Sequence, residues 1–212
     1  MRADAERNRA ALVGAARRVL ERDGYVKARI TDIADEAGVA HGSFYSHFDG
    51  KPAIFAAVMA EVEEEMLHPG PALTAGDPVA VIEAANRAYL EAYRRNARLM
   101  ALLEQVATVD EDFRELRQRR SAAFLTRNAR AVRRLQQAGL ADPDLDPDLA
   151  ALALSTMVSR SAYAAFVLGS PPADVEPLAA TVTRLWVNGL RLPAEARSAC
   201  VTNGGPAPLS PA

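Results

Sequence analysis

The stretch ITDIADEAGVAHGSFYSHFDGK, Ile30 to Lys51, holds two apolar sets on either side of one glycine. Ile30, Ile33, Ala34 and Ala37 recur at helical spacing and make one face of a short helix over Ile30–Ala37. Val39, Phe44 and Phe48 make the second set, and Phe44 and Phe48, four apart, lie on the same side. Gly38 stands between them and supplies the backbone freedom of a tight turn. Ala34 is small, so a second helix can cross the first closely.

Two short helices joined by a glycine-bearing turn of three or four residues form a helix-turn-helix. In that motif the second helix enters the DNA major groove and the first braces it across the backbone. The residues facing outward from the second helix, here expected to run to Phe48, are His41, Gly42, Ser43, Tyr45, Ser46 and His47. They are small or hydrogen-bonding, of the kind that meets base edges and phosphates. Gly42 costs a helix about 1 kcal/mol against alanine, which is useful where a helix must press close to a surface. Lys51 stands at the start of the next helix, where backbone N–H groups and a cation together favour a phosphate. His41 and His47 are six apart and share no helical face, so neither a metal site nor any cofactor is expected.

Outward from this stretch the pattern stays helical. Ala11, Ala15, Val19 and Leu20 mark a first helix, which Asp23-Gly24 ends. Pro52 to about Leu67 is a fourth helix, followed by a linker from His68 to Pro78. Longer helices are expected over 79–96, 98–108, 110–138, 147–168 and 174–190. The fold class is therefore all-α: a helix-turn-helix domain over residues 1–52, a larger helical domain over 53–192, and a disordered tail over 193–212. Half of the 212 residues are apolar and a quarter charged, which fits one small and one larger globular part. The net charge of −2 argues against a protein that coats nucleic acid generally. Residues 1–29 nonetheless hold eight basic against four acidic side chains, and Arg2, Arg7 and Arg9 form a candidate flexible arm toward DNA. One cysteine, Cys200, excludes an internal disulfide, and no uninterrupted apolar run is long enough for a membrane span, so a cytoplasmic protein with no membrane partner is expected.

Arg9 to Met59 resembles the DNA-binding region of the TetR family of transcriptional regulators. Ala15-Ala16, Gly24-Tyr25, Ile33-Ala34, Ala37-Gly38-Val39, Gly42, Tyr45, His47-Phe48 and Lys51 match in one register. The resemblance implies that Tyr45, His47 and Lys51 touch phosphates and that His41, Gly42 and Ser43 face the bases. Ala28 and Arg29 stand where the family often has hydroxyl residues that cap the second helix, and Arg29 or Thr31 is the substitute candidate. Ala40 and His41 replace a frequent serine and lysine.

The family resemblance also implies a small-molecule effector pocket in the helical body and a homodimer formed by the last two long helices. Candidate pocket residues, apolar walls with a few polar anchors, are Asn86, Tyr89, Tyr93, Met100, Leu103, Glu104, Arg120, Phe124, Met157 and Ser161. Each apolar member could equally be plain core. Arg120 and Arg127 fall on the apolar side of their helix, so each either pairs with Glu104 or another acid or meets an anionic ligand. The last two long helices carry alanines and serines among leucines and valines, which permits close helix approach. A two-fold dimer reads a near-palindromic double-stranded operator. No Ser-His-acid set, phosphate loop or metal spacing marks an enzyme. The reading is a ligand-responsive repressor released from DNA by an effector; the alternative is a helical ligand-binding or adaptor protein with a weakened reading head.

Overall fold

The computed structural model describes residues 2–67 and 77–193; most of the linker and of the tail expected from the sequence lie outside these. The described residues form nine α-helices and no strand. They are α1 (Arg2–Lys27), α2 (Ile30–Ala37), α3 (His41–Phe44), α4 (Lys51–Leu67) and α5 (Pro78–Arg95), then α6 (Ala97–Val106), α7 (Glu111–Gln137), α8 (Pro147–Tyr163) and α9 (Val175–Gly189). A π-helical turn, Ala164–Leu168, extends α8.

Local chemistry sets the helix ends. Gly24, at φ 76° and ψ 167°, breaks α1 where Asp23-Gly24 was expected to end it, and a further turn reaches Lys27. Gly38, at φ 69°, caps α2: its N–H bonds to the Asp35 carbonyl at 3.1 Å, and that of Val39 to the Ala34 carbonyl at 3.1 Å. Asp146 caps α8 by accepting from the N–H groups of Asp148 and Leu149, both at 2.9 Å, with Pro147 opening the helix.

The chain packs as two compact units. The first comprises the described residues up to Leu67 together with 95–121; the second comprises 77–94 with 122–193. The unit that holds the helix-turn-helix is thus larger than the expected 1–52. The reason is physical. Helix α1 buries Leu12, Val13, Ala15, Ala16, Val19 and Leu20, too broad an apolar surface for α2 and α3 to cover alone. Helices α2, α4 and α6 all pack against it. Ile33, Ala34, Phe44, Ile54, Phe55 and Val58, all fully buried, complete that core. Truncating a buried phenylalanine of this kind costs about 3–5 kcal/mol.

In the second unit α8 packs on α9. Its core includes Val132, Ala151, Val158, Ala162, Ala179, Val182 and Trp186. The Asn86 side-chain amide donates to the Thr183 hydroxyl at 3.1 Å, so this buried polar pair satisfies itself.

Candidate nucleic-acid interface

Helix α3 is four residues long, shorter than the run to Phe48 expected from the sequence. It continues as a turn: the His47 N–H bonds to the Phe44 carbonyl at 2.9 Å and the Ser46 N–H to Ser43 at 3.2 Å. Gly42 and two serines give the segment little helical propensity, so tertiary packing alone holds it. That packing comes from Phe44 and Phe48, 0% and 6% exposed, with ring centroids 5.8 Å apart. On the opposite side His41, Gly42, Tyr45 and Ser46 are exposed, and Ser43 and His47 are half-buried. The His41 and Tyr45 rings meet edge-on at 5.7 Å. A Cβ added to Gly42 meets no atom within 4 Å, so nothing in the protein requires glycine there. The structure therefore brings His41, Gly42, Ser43, Tyr45 and His47 together on one segment anchored from behind.

The flanking candidates behave differently. Arg29 is the residue before α2, exposed and with extended backbone, but α2 has no side-chain cap. Thr31 lies inside the first turn, its hydroxyl 3.4 Å from Asp32 Oδ1, so neither residue replaces the missing cap. Lys51 has partners within the chain. Its ammonium, expected on a phosphate, donates to the carbonyls of Tyr25 (2.7 Å), Ala28 (3.2 Å) and Val26 (3.3 Å). It also sits 4.7 Å from the Tyr25 ring centroid. The arm of Arg2, Arg7 and Arg9 is helical as part of α1 rather than irregular. Arg7 pairs with Asp4, and the Arg9 guanidinium lies 5.1 Å from the Phe48 ring centroid.

The basic excess of the first 29 residues is partly neutralised within the unit. Glu36 of α2 accepts from Arg18 at 2.7 Å and from Arg22 at 3.0 Å. These bonds, Arg18's first, hold the Glu36 carboxyl below its ordinary pKa. Arg22 is also bonded to Asp23, and the two acids push its pKa up.

The effector candidates do not fall in one unit. Met100, Leu103, Glu104 and Arg120 belong to the first, and Asn86, Tyr89, Tyr93, Phe124, Met157 and Ser161 to the second. In the first unit, Glu104 accepts from Arg117 at 3.0 Å, not from Arg120. Arg120, 5% exposed, instead lies 3.8 Å from Glu63 Oε2 and against the sulfurs of Met100 (3.5 Å) and Met66 (3.7 Å). In the second unit, Tyr89 meets Phe124 edge-on at 5.5 Å and Tyr93 at 5.9 Å, and Tyr93 approaches Phe166 at 6.5 Å. The Arg127 guanidinium lies 5.4 Å from the Phe124 centroid, and burial lowers its pKa. Met157 and Ser161 are half-buried on α8. Asn86 spends its amide on Thr183, which marks it as structural.

Sequence reasoning missed Asn96. It is fully buried, accepts from Arg17 of α1 at 2.5 Å, and donates to Glu65 of α4 at 2.9 Å. Its position between two arginine-rich helical segments carries no periodic signal; only packing brings its partners 79 and 31 residues away to it. Among the described residues no group of three or more His, Cys, Asp and Glu side chains is placed to hold a metal.

Comparison with known proteins places this geometry. Residues 12–58 match the family described as bacterial regulatory proteins, tetR family. Residues 82–190, more than half the chain, match the C-terminal domain of the transcriptional regulator EthR. The HTH-type transcriptional regulator TtgR of Pseudomonas putida is 29% identical over 168 residues, covering 73% of this chain and 78% of TtgR. The structure of SmeT, repressor of the Stenotrophomonas maltophilia multidrug efflux pump SmeDEF, superposes with a TM-score of 0.73 at 21% identity, covering 95% of this chain and 97% of that one. Bacillus subtilis FadR, solved in complex with stearoyl-CoA, does so with a TM-score of 0.71 at 19% identity, over 85% of this chain and 98% of FadR. The two structural likenesses show a common fold.

Proposed function

Given that the chain belongs to the TetR family of bacterial regulatory proteins, a family of DNA-binding transcription regulators rather than enzymes, we propose that it is a homodimeric repressor released from its operator by a small molecule. The observation that carries the reading is the segment from His41 to His47, whose polar side is exposed while Phe44 and Phe48 bury its back. His41, Gly42 and Ser43 face the bases; Tyr45 and His47 hold phosphates, with Arg29 and Thr31 at the flanking end of α2. SmeT's description as a repressor supports repression, and the FadR complex supports a small-molecule effector. The aromatic group of Tyr89, Tyr93, Phe124 and Phe166 is the apolar wall best suited to such a ligand.

Dimerisation is supported by the surface of the last helices. Leu149 (64% exposed), Leu152 (47%) and Leu168 (59%) on α8 and its π turn, with Leu185 (47%) on α9, leave an apolar face uncovered in the single chain. Pro147–Leu168 is long and apolar enough to cross a membrane by length and composition alone, but it carries Asp148 and Arg160 and packs on α9. A second copy covers this face and accounts for its apolarity. The protein then acts on chromosomal DNA in the bacterial cytoplasm.

The test is capture of fragmented genomic DNA by the purified protein at moderate salt, followed by sequencing. Enrichment of one near-palindromic site is expected. Retention without sequence preference, persisting after bound small molecules are stripped, refutes the repressor reading and favours a ligand-binding adaptor with a weakened head.

A further inference from the structure

Arg120 and Arg127 lie two turns apart on α7, and their surroundings differ in charge. Within the first unit, buried Arg120 has the Glu63 carboxylate 3.8 Å away. Within the second, half-buried Arg127 lies against neutral groups: its guanidinium is 5.4 Å from the Phe124 ring centroid, and its Nε donates to Asn128 Oδ1 at 3.4 Å. Asn128 is turned that way by α8, because its amide nitrogen donates to the Ser155 hydroxyl at 2.8 Å. Burial lowers the Arg127 pKa, and the attraction of the Tyr89 phenol offsets only part of that. An anion arriving at a cation so placed is attracted more strongly than at an exposed surface.

From the guanidinium a strip of four rings runs away through Phe124, Tyr89, Tyr93 and Phe166. Phe124 meets Tyr89 edge-on at 5.5 Å, Tyr89 meets Tyr93 at 5.9 Å, and Tyr93 approaches Phe166 at 6.5 Å. Helix α5 supplies the tyrosines, α7 supplies Phe124 with Arg127 one turn on, and the π turn after α8 supplies Phe166. Tyr89, Phe124 and Phe166 are only half-buried, so the strip is not sealed core. Edge-on and tilted rings offer both edges and faces to a further flat ring.

We propose that this strip binds an aromatic carboxylate, its flat body against the rings and its carboxylate on the Arg127 guanidinium. The proposal names the effector class for the aromatic wall described above and so rests on the effector reading. Charge chooses among ligands. Aromatic faces by themselves attract cations, but here a cation already lies on the Phe124 face and repels a second. A neutral aromatic gains from the rings alone. A carboxylate gains from both, because the guanidinium fork matches its two oxygens. Asn128 and Ser155 are positioning residues: they hold the Nε edge, so the fork is oriented before the ligand arrives.

Titration calorimetry on the full chain, wild type and Arg127→Met, compares three probes with one ring system. They are β-naphthoate, neutral β-naphthylmethanol and cationic β-naphthylmethylammonium. Wild type should bind β-naphthoate roughly 10- to 150-fold more tightly than either analogue, the range of a hydrogen bond to a charged group. In Arg127→Met, β-naphthoate should weaken to the level of β-naphthylmethanol, whose own affinity stays the same. Equal weakening of both overturns the proposal, because an arginine that only holds the fold acts on every ligand alike. A wild type that prefers the neutral or cationic probe, or does not bind β-naphthoate, also overturns it. Should Arg127→Met not fold, the wild-type ranking of the three probes decides alone. Fluorescence anisotropy on the captured operator separates this proposal from the reading beneath it. Release by β-naphthoate supports both. Binding of β-naphthoate that leaves the operator occupied refutes effector release and leaves the site standing.

Discussion

Substituting Gly42 by alanine separates folding from DNA reading in a single methyl group. Gly42 lies in α3 with ordinary backbone angles, and a Cβ built there meets no atom within 4 Å. In the free protein the substitution therefore introduces no clash. It removes backbone entropy from the unfolded chain and adds helix propensity, together about 0.5–1 kcal/mol of stabilisation. At the DNA surface the sign reverses. The exposed methyl projects from the face that must approach the base edges, and overpacking a close interface costs about 1–3 kcal/mol. The expected outcome is a melting temperature equal to wild type or a few degrees higher, with operator affinity lower by roughly 5- to 150-fold. Thermal unfolding by circular dichroism and fluorescence anisotropy on the captured operator measure the two quantities. Unchanged affinity in a protein that is stabilised would refute the reasoning, since the His41–His47 face would then not press against DNA.

Three further outcomes follow from other parts of the chain. Gly38→Ala must adopt φ 69° at the α2 cap and should lose about 1–2 kcal/mol of stability in denaturant titration, although its added Cβ also meets nothing. Leu152→Glu with Leu185→Glu alters two side chains that are each 47% exposed in the single chain, so folding should change by less than about 0.5 kcal/mol. Sedimentation should nevertheless shift from dimer to monomer; an unchanged dimer would move the interface elsewhere. Glu65 is raised by burial, but bonds from Asn96 and Arg95 outweigh this and hold its pKa below the ordinary value. A folded-state pKa below the unfolded one contributes stability above the unfolded pKa, lost as pH falls through the folded one. Glu65→Gln should accordingly cost roughly 0.5–1 kcal/mol at pH 7, discounted for its partial exposure, and the difference from wild type should vanish below the ordinary carboxylate range.

The elements themselves were legible because each rests on local chemistry. Helix α2 spans Ile30–Ala37 as its apolar spacing requires, and α5, α6, α7 and α9 start and stop within a residue or two of the expected positions, while α8 gives way to a π-helical turn for the last five residues of its expected span. Glycines 24 and 38 take positive φ where the sequence reading placed a helix end and a turn. The exposed polar side of the His41–His47 segment was legible too, since Phe44 and Phe48 define its buried back by periodicity. Helix α3 was overestimated for a related reason: an apolar pair four apart is equally compatible with a helical turn followed by a tighter one.

What escaped the sequence depends on pairs distant along the chain. Charge patterning placed Arg120 inside but could not choose Glu63 over Glu104, because the choice turns on how α4 and α7 pack. Asn96 looked like a helix boundary and proved to be a buried link between Arg17 and Glu65. Lys51 reads in the sequence as the first residue of a helix, and only the broken end of α1, 23 to 26 residues earlier, supplies the carbonyls its ammonium meets within the chain. The amino-acid pattern alone settles helix positions, the turn at Gly38 and the polar face, since these follow from interactions within a few residues. Which charged groups have partners within the chain is settled by the fold, because a cation's surroundings depend on acceptors that only tertiary packing brings near it.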